Sequence, residues 1–418
     1  MEQTNSSIEY VKTRCCVVGG GPAGMIAGFL LARAGIDVVV LEKHADFLRD
    51  FRGDTIHPST LEVMHELGIL DEFLLRPHQE VPQIGGQFED VTVTVGDFSH
   101  LPTRCKFIAL MPQWDFLNFI AEKAKCYPHF HLRMESAVNE LIEENGRIAG
   151  VRGKTPQGAL EVRADLTVGA DGRHSIIRTK AGLKVIDLGA PIDVLWMRLS
   201  RDPTDPPQTL GRFKPGKILV TLNRGDYWQC AYVIPKGGLD TIRQKGLPEF
   251  REDIARVAPL LGGRTNELRS WDDIKLLTVA VDRLSQWWRS GLLCIGDSAH
   301  AMSPIGGVGI NLAIQDAVAT ANLLAQELSR GAVSDDLLRQ VQRRREFPTR
   351  MTQAFQIFAH KRFLGPALSK AKKRSRLPLP IQLLQRFPIL RRIPARLIGL
   401  GFRPEHVRSP ERQFGLPR

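Results

Sequence analysis

Gly19-Gly20-Gly21-Pro22-Ala23-Gly24 is a complete GxGxxG run directly after an apolar stretch that ends at Val18. Glycines at these spacings meet three needs: a tight turn at Gly19, close approach of backbone to a pyrophosphate at Gly21, and tight helix–strand packing at Gly24. A pyrophosphate held there would face the N-terminus of a helix, whose unpaired N–H groups and dipole favour negative charge. Glu42 closes a second apolar run 18 residues after Gly24, where a carboxylate can accept hydrogen bonds from a ribose. Together these features read as dinucleotide binding; the plainer alternative is a glycine-rich turn with an incidental surface glutamate. Two further carboxylates follow short apolar runs, Asp171 in Gly169-Ala170-Asp171-Gly172 and Asp297 in Gly296-Asp297-Ser298-Ala299-His300. Each stands where a strand would end, and open α/β sheets bind ligands beyond the carboxyl ends of their strands. Taken singly, each reads better as an Asx-turn.

The elements that must position these groups follow from apolar periodicity. Residues 17–18, 24–34 and 37–41 read as strand, helix and strand, a βαβ unit of the kind that builds parallel sheets. Runs 164–170 and 291–295 supply further strands ending in Gly/Asp turns. Between them, 192–199, 217–222 and 227–234 are short strands punctuated by Pro and Gly, which predicts an antiparallel sheet. The expected fold class is α/β: a Rossmann-type domain with an inserted antiparallel-sheet substrate domain and a C-terminal helical segment. The corresponding divisions are 1–80, 101–180 and 276–345 for the nucleotide domain, 81–100 and 181–275 for the substrate domain, and 346–418 for the tail. Alternation puts Tyr227 and Gln229 on one face of the inserted sheet and Trp228 and Tyr232 on the other, with Trp196 and Arg198 nearby. Which face meets a ligand is open at this level, and core packing is the better account of each aromatic.

In their order, the three motifs resemble the signatures of the para-hydroxybenzoate hydroxylase family of FAD monooxygenases. The resemblance covers most of the first 330 residues and selects FAD over NAD. It implies that Asp297 binds the ribityl chain and that Asp171 and Gly172 sit near the pyrophosphate and help admit NAD(P)H. It implies flavin contact for Arg52, in Arg52-Gly53-Asp54, and for Gln113, in Met111-Pro112-Gln113-Trp114. Without it, Arg52 reads as a surface charge and Gln113 as a helix start. The run Pro304-Ile305-Gly306-Gly307-Val308-Gly309-Ile310-Asn311 opens a helix that family analogy aims at the flavin pyrimidine edge. There a helix N-terminus, worth roughly half a positive charge, would stabilise anionic reduced flavin. The implied cofactor set is Gly19, Gly21, Pro22, Ala23, Gly24, Glu42, Lys43, Arg52, Gln113, Asp171, Gly172, Gly296, Asp297, Pro304, Gly307, Gly309, Ile310 and Asn311. Pro304, Gly307 and Asn311 are the flavin-proximal candidates for catalysis, and no acid/base is assigned, although His57 and His300 adjoin the motifs. The implied reaction uses NAD(P)H and O2 as co-substrates and hydroxylates or epoxidises an electron-rich, aromatic or polyketide-like small molecule through a flavin C4a-hydroperoxide. Rival readings are a prenyl or polyene reductase, a halogenase, whose WxWxIP signature is echoed only loosely at residues 228–235, and a non-enzymatic escort like the GDP-dissociation inhibitors.

Composition narrows the partners. A 418-residue chain with 43% hydrophobic content can bury a large core. It shows no signal-peptide pattern and no metal-type cysteine spacing, so a cytoplasmic location and no metal are expected. Adjacent Cys15 and Cys16 read as buried filler. Residues 361–418 hold 15 Lys or Arg against 2 Asp or Glu, while the first 360 hold 42 against 43. The net charge of +12 therefore belongs to the tail, and nucleic-acid binding by a body-wide basic face is not expected. The tail mixes that charge with Leu, Ile and Phe, which suggests peripheral contact with an anionic membrane or packing as a C-terminal cap, on a monomer or homodimer. Pro378, Pro380, Pro388 and Pro394 limit any helix there to short pieces.

Overall fold

The structure, a computed structural model, describes residues 8–48, 55–89, 91–368 and 377–412. The chain opens with β1 (Glu9–Val18), α1 (Pro22–Arg33) and β2 (Val38–Leu41), followed by α2 (Pro58–Glu66) and the hairpin strands β3 (Gln83–Phe88) and β4 (Val91–Asp97). It continues through α3 (Gln113–Ala124), β5 (Phe130–Arg133), β6 (Gly158–Gly169) and α4 (Ile176–Lys180). The inserted strands are β7 (Ile192–Ser200), β8 (Leu210–Lys214), β9 (Lys217–Asn223) and β10 (Tyr227–Pro235), with α5 (Leu247–Val257) and β11 (Lys275–Leu277) after them. Strand β12 (Leu292–Cys294) then leads to α6 (Gly309–Arg330), α7 (Asp335–Ala359), α8 (Leu379–Arg386) and α9 (Arg392–Gly399).

The nucleotide-type sheet runs β12-β6-β1-β2-β5, all parallel in these pairings. Its central strand β2, flanked by strands on both sides, is Val-Val-Val-Leu and wholly buried. Cys15 and Cys16 lie in this core, fully buried and unpaired. From β1 the chain crosses to β2 on one side and later returns to β6 on the other, which makes the carboxyl ends of β1 and β6 the point where strand order reverses. The long apolar helix α6 packs beside α1 against this sheet, with 78% of its most apolar window buried.

The second sheet runs β11-β7-β10-β9-β8-β3-β4. Residue pairing carries Leu195, Leu219 and Tyr232 on one face, where Met197, Trp228 and Cys230 join Phe250 and Ile254 of α5 in a closed cluster. The opposite face carries Trp196, Val220, Gln229 and Ala231. Strand β11 belongs to this sheet by pairing with β7, so the return to the parallel sheet comes after residue 277. Helix α7 runs unbroken across residues 345 and 346 and packs on α6. In the tail, prolines do divide the chain into α8, a short turn at Pro388–Arg391 and α9. The inner residues of α9 seat on Phe98, Leu101, Ile108 and Leu110.

Candidate functional site

The three sequence motifs leave the ends of three adjacent parallel strands. Val18 pairs with Gly169, and Gly169 pairs with Cys294, so the turns at 19–24, 170–172 and 296–298 converge. They are also tied to one another. The Ser298 hydroxyl donates to the Gly169 carbonyl at 2.5 Å, and a Cβ on Gly296 would lie 3.0 Å from that of Ala23 on α1. Arg173 Nη2 stands 3.6 Å from Asp297 Oδ2, linking the second and third motifs through charge.

Helix α1 begins at this junction with Gly21 as N-cap, no side chain capping it and no acidic residue in its first turn. Its leading N–H groups therefore present an uncompensated positive end. A Cβ on Gly21 would meet no protein atom within 4 Å, the open flank that a bound pyrophosphate requires. Gly24 is the reverse case, since a Cβ there would sit 1.9 Å from the Gly19 carbonyl oxygen. Glu42 is buried at the end of β2, with Oε2 accepting from the Gly20 N–H at 2.8 Å and Oε1 from the His44 N–H at 3.1 Å. Lys43 beside it is exposed. Helix α6 also starts with neither a side-chain cap nor an acid in its first turn. Donor set, open cradle and two bare helix N-termini fit a flavin dinucleotide.

Not every expected side chain faces that space. Asp171 turns its carboxylate onto the start of α4, accepting from the Ser175 hydroxyl (2.5 Å) and the N–H groups of Ile176 (2.7 Å) and Ile177 (3.2 Å). Burial pushes its carboxyl above the ordinary range despite these donors. The Asx-turn reading thus describes the Asp171 side chain, and the open flank of this motif is at Gly172. Asn311 is likewise a clip: its Oδ1 accepts from the His57 N–H and the Thr60 hydroxyl, both at 2.8 Å, while Nδ2 donates to the carbonyls of Thr55 and Gly307. With four bonds made and 4% exposure, its amide has no capacity left for a ligand, and its catalytic candidacy is corrected to positioning. Gly307, at φ +63°, packs so tightly on Thr55 that a Cβ would come 2.2 Å from the hydroxyl. Gln113 is the first residue of α3, which packs on α1. Arg52 lies outside the described residues.

Neither neighbouring histidine is open for proton transfer. His57 is fully buried, with Nδ1–H donating to the Ile398 carbonyl at 2.7 Å. Burial holds it down at about 4, outweighing the Ile398 and Gly306 carbonyls that pull it up. A histidine kept neutral in the fold lends stability that is complete above its unfolded value of 6.5 and drains away as pH falls towards 4. Unfolding followed by urea at successive pH values should show up to about 3 kcal/mol lost across that window. His57→Asn, which retains a donor for Ile398, should flatten the profile; an unchanged profile would count against His57 as its source.

His300 is buried by Trp287 and donates from Nε2 to Asp316 Oδ2 at 2.6 Å. The same oxygen accepts the Gly296 N–H at 3.1 Å, and Asp316 Oδ1 accepts from Arg345 Nε at 2.9 Å. Arg345 reaches on to Glu405, which Arg344 grips with two nitrogens. Burial raises the Asp316 carboxyl, but His300 and Arg345 win and hold it below its ordinary range. Helix α7 clamps the next loop as well. Gln356 accepts from the Ser303 N–H and donates to the carbonyls of Ser303 and Ile305, and His360 bonds the Ser303 hydroxyl. His300 apart, these residues were not singled out from sequence, although an aspartate inside the apolar helix α6 and polar residues at 345, 349, 352–353 and 356 of α7, with His360 just beyond it, form a helical-period signal. A groove of about 600 Å³ lined by Lys12, Asp37, His131 and Arg133 shares no residue with the motifs.

Residues 12–355 match the family described as FAD binding domain, and the chain belongs to that family. It is an FAD-dependent monooxygenase of the aromatic-hydroxylase type. Among its relatives is 6-methylpretetramide 4-monooxygenase of Streptomyces rimosus, 33% identical over 410 residues that cover 97% of this chain and 96% of the relative. Para-nitrophenol 4-monooxygenase of Pseudomonas sp. (strain WBC-3) is 25% identical over 77% of this chain and 80% of its own. The crystal structure of p-nitrophenol 4-monooxygenase from Pseudomonas putida DLL-E4 superposes with a TM-score of 0.76 at 20% identity, covering 93% of this chain and 97% of that one. That likeness establishes the α/β FAD-binding architecture with its inserted sheet.

Proposed function

We propose that the protein is an NAD(P)H-dependent hydroxylase of an electron-rich aromatic or polyketide-like small molecule. The observation that carries this reading is the convergence of three Gly/Asp turns and two uncapped helix N-termini at the reversal point of the parallel sheet. FAD held there would supply the redox chemistry linking a nicotinamide, dioxygen and a nucleophilic carbon, one oxygen atom going to the product and the other to water. The residues of this chain do the rest. The first turn of α1 would hold the pyrophosphate, Glu42 a ribose and Asp297 the ribityl hydroxyls. The uncapped N-terminus of α6 would steady negative charge on the flavin pyrimidine. Asn311, Gln356 and Asp316 hold the 296–307 segment still while this happens. The substrate's place is assigned to the face of the second sheet that carries Trp196, Gln229 and Ala231, on which residues 364–368 also pack, because α5 closes the other face. The 6-methylpretetramide named for the Streptomyces rimosus relative supports a polycyclic probe as the first choice.

Purified protein should oxidise NADH or NADPH and consume oxygen when given its substrate, and yield a product one oxygen atom heavier. Labelled dioxygen should deliver its label to that product. Label arriving from water, or a product gaining two hydrogens, would move the assignment to hydrolysis-derived or reductase chemistry. Asp297→Ala should weaken FAD by about 1.5–2 kcal/mol, the lower part of the range for hydrogen bonds to a charged group, because its side chain is one-third exposed. Equilibrium titration of apoprotein with FAD reads this directly, and equal affinity would remove Asp297 from the ribityl contact.

A further inference from the structure

Between Glu346 and Glu405 the chain has no acidic residue and 13 Lys or Arg. Within that stretch Leu379, Leu383, Phe387, Ile389 and Ile393 are 41–66% exposed, five large apolar side chains in fifteen residues. Arg386, Arg392 and Arg396 stand exposed among them. Isolated exposed apolar residues need no explanation, but a run of them does. We propose that α8, the turn after it and α9 form a docking face for an anionic lipid membrane.

The inner side of this face is already used. Ile381 and Ala395 are buried, and α9 packs through Ala395, Ile398 and Leu400 on the 81–110 region, so the outward residues are not a core awaiting closure. The occupant follows from charge and shape together. A second copy of the same face would set like charges against each other. An acidic protein would match the arginines and leave the leucine, isoleucine and phenylalanine side chains without a partner. A leaflet with anionic headgroups takes both, the rings and branched chains entering the acyl boundary and the arginines remaining at headgroup level. The pieces are eight residues long and broken by Pro388, so they lie along the surface and cannot span it. Lys370, Lys372, Lys373, Arg374 and Arg376 lie outside the described residues and add to the charge as sequence alone.

Full-length, FAD-loaded protein should be sedimented with vesicles of phosphatidylcholine alone and of phosphatidylcholine mixed with phosphatidylglycerol. Recovery on the anionic vesicles should exceed that on the neutral ones at least roughly tenfold at low salt, and should fall as salt shortens the screening length. Ile389→Asp combined with Ile393→Asp should lose most of this binding with flavin absorbance and thermal midpoint unchanged. Arg386→Gln combined with Arg396→Gln is the milder second test, expected to reduce anionic binding severalfold. Equal recovery on both vesicles, or full binding by both double variants, overturns the proposal. Retention on heparin without vesicle binding would assign the face to an acidic polymer instead. A dimer in solution that the aspartate variant dissolves would assign it to a second copy.

Discussion

Gly24→Ala should purify without flavin and bind added FAD roughly 100-fold more weakly, a loss of about 3 kcal/mol. The added methyl would fall 1.9 Å from the Gly19 carbonyl oxygen, and Gly19 cannot step aside because its own N–H donates to Leu41 at 2.8 Å. Helix α1 must therefore tilt or slide from β1, carrying its uncapped N–H groups away from the pyrophosphate. Gly21→Ala makes the informative partner, since nothing in the protein obstructs a methyl there. It should fold like the parent yet weaken FAD, the methyl entering the ligand's space. Circular dichroism with FAD titration separates the two cases; parental affinity in both variants would mean that the glycine turn is not the pyrophosphate cradle.

Arg345→Ala is expected to cost about 3–5 kcal/mol of stability, the range for leaving buried charge without its partner. Arg345 and the two carboxylates that it joins, Asp316 and Glu405, all have side chains with no solvent exposure. Glu405 retains Arg344, so the greater exposure to loss is at Asp316, whose other oxygen holds both His300 and the Gly296 N–H. Flavin release, followed by fluorescence during urea unfolding, should shift to lower denaturant together with the loss of protein structure. Arg345→Lys keeps the charge without the planar fork and should recover only part of the difference. A loss below about 1 kcal/mol in the alanine variant would show that the charges are satisfied without Arg345.

The parts of the fold that sequence makes legible are those governed by one-dimensional rules. Glycine spacing identified the turn after β1, unbroken apolar runs identified β2 and β12, and alternation with Pro and Gly punctuation identified β7, β9 and β10. Proline placement foretold the breakup of the tail. The polar machinery was less legible because side-chain direction is set by three-dimensional neighbours. Asp171 and Asp297 look alike as Gly/Asp turns, yet Asp171 turns onto the start of α4, accepting from the Ser175 hydroxyl of its N-cap and from the Ile176 and Ile177 N–H groups. Asn311 adjoins three glycines that suggest a ligand, but the returning 55–60 segment takes its whole amide. Sheet alternation separated Gln229 from Trp228 correctly, and only the position of α5 shows that Trp228 and Tyr232 belong to a closed core. The buried stripe on α7 pairs residues more than 50 positions apart with the 301–305 loop, a match no local window contains.

The sheet also sets a timetable for synthesis. Strand β12 must lie beside β6, and β6 beside β1, so the ligand-facing end of the sheet stays incomplete until residue 294 has emerged from the ribosome. Glu405 then supplies its carboxylate to Arg345, and the Arg412 N–H ties back to the Arg33 carbonyl at the far end of α1. A nascent chain exposes the apolar walls of its first βαβ unit long before these late segments arrive to cover and brace them. The sheet end on which the three motifs converge is thus assembled from strands made far apart in time, and its bracing comes from segments made later still.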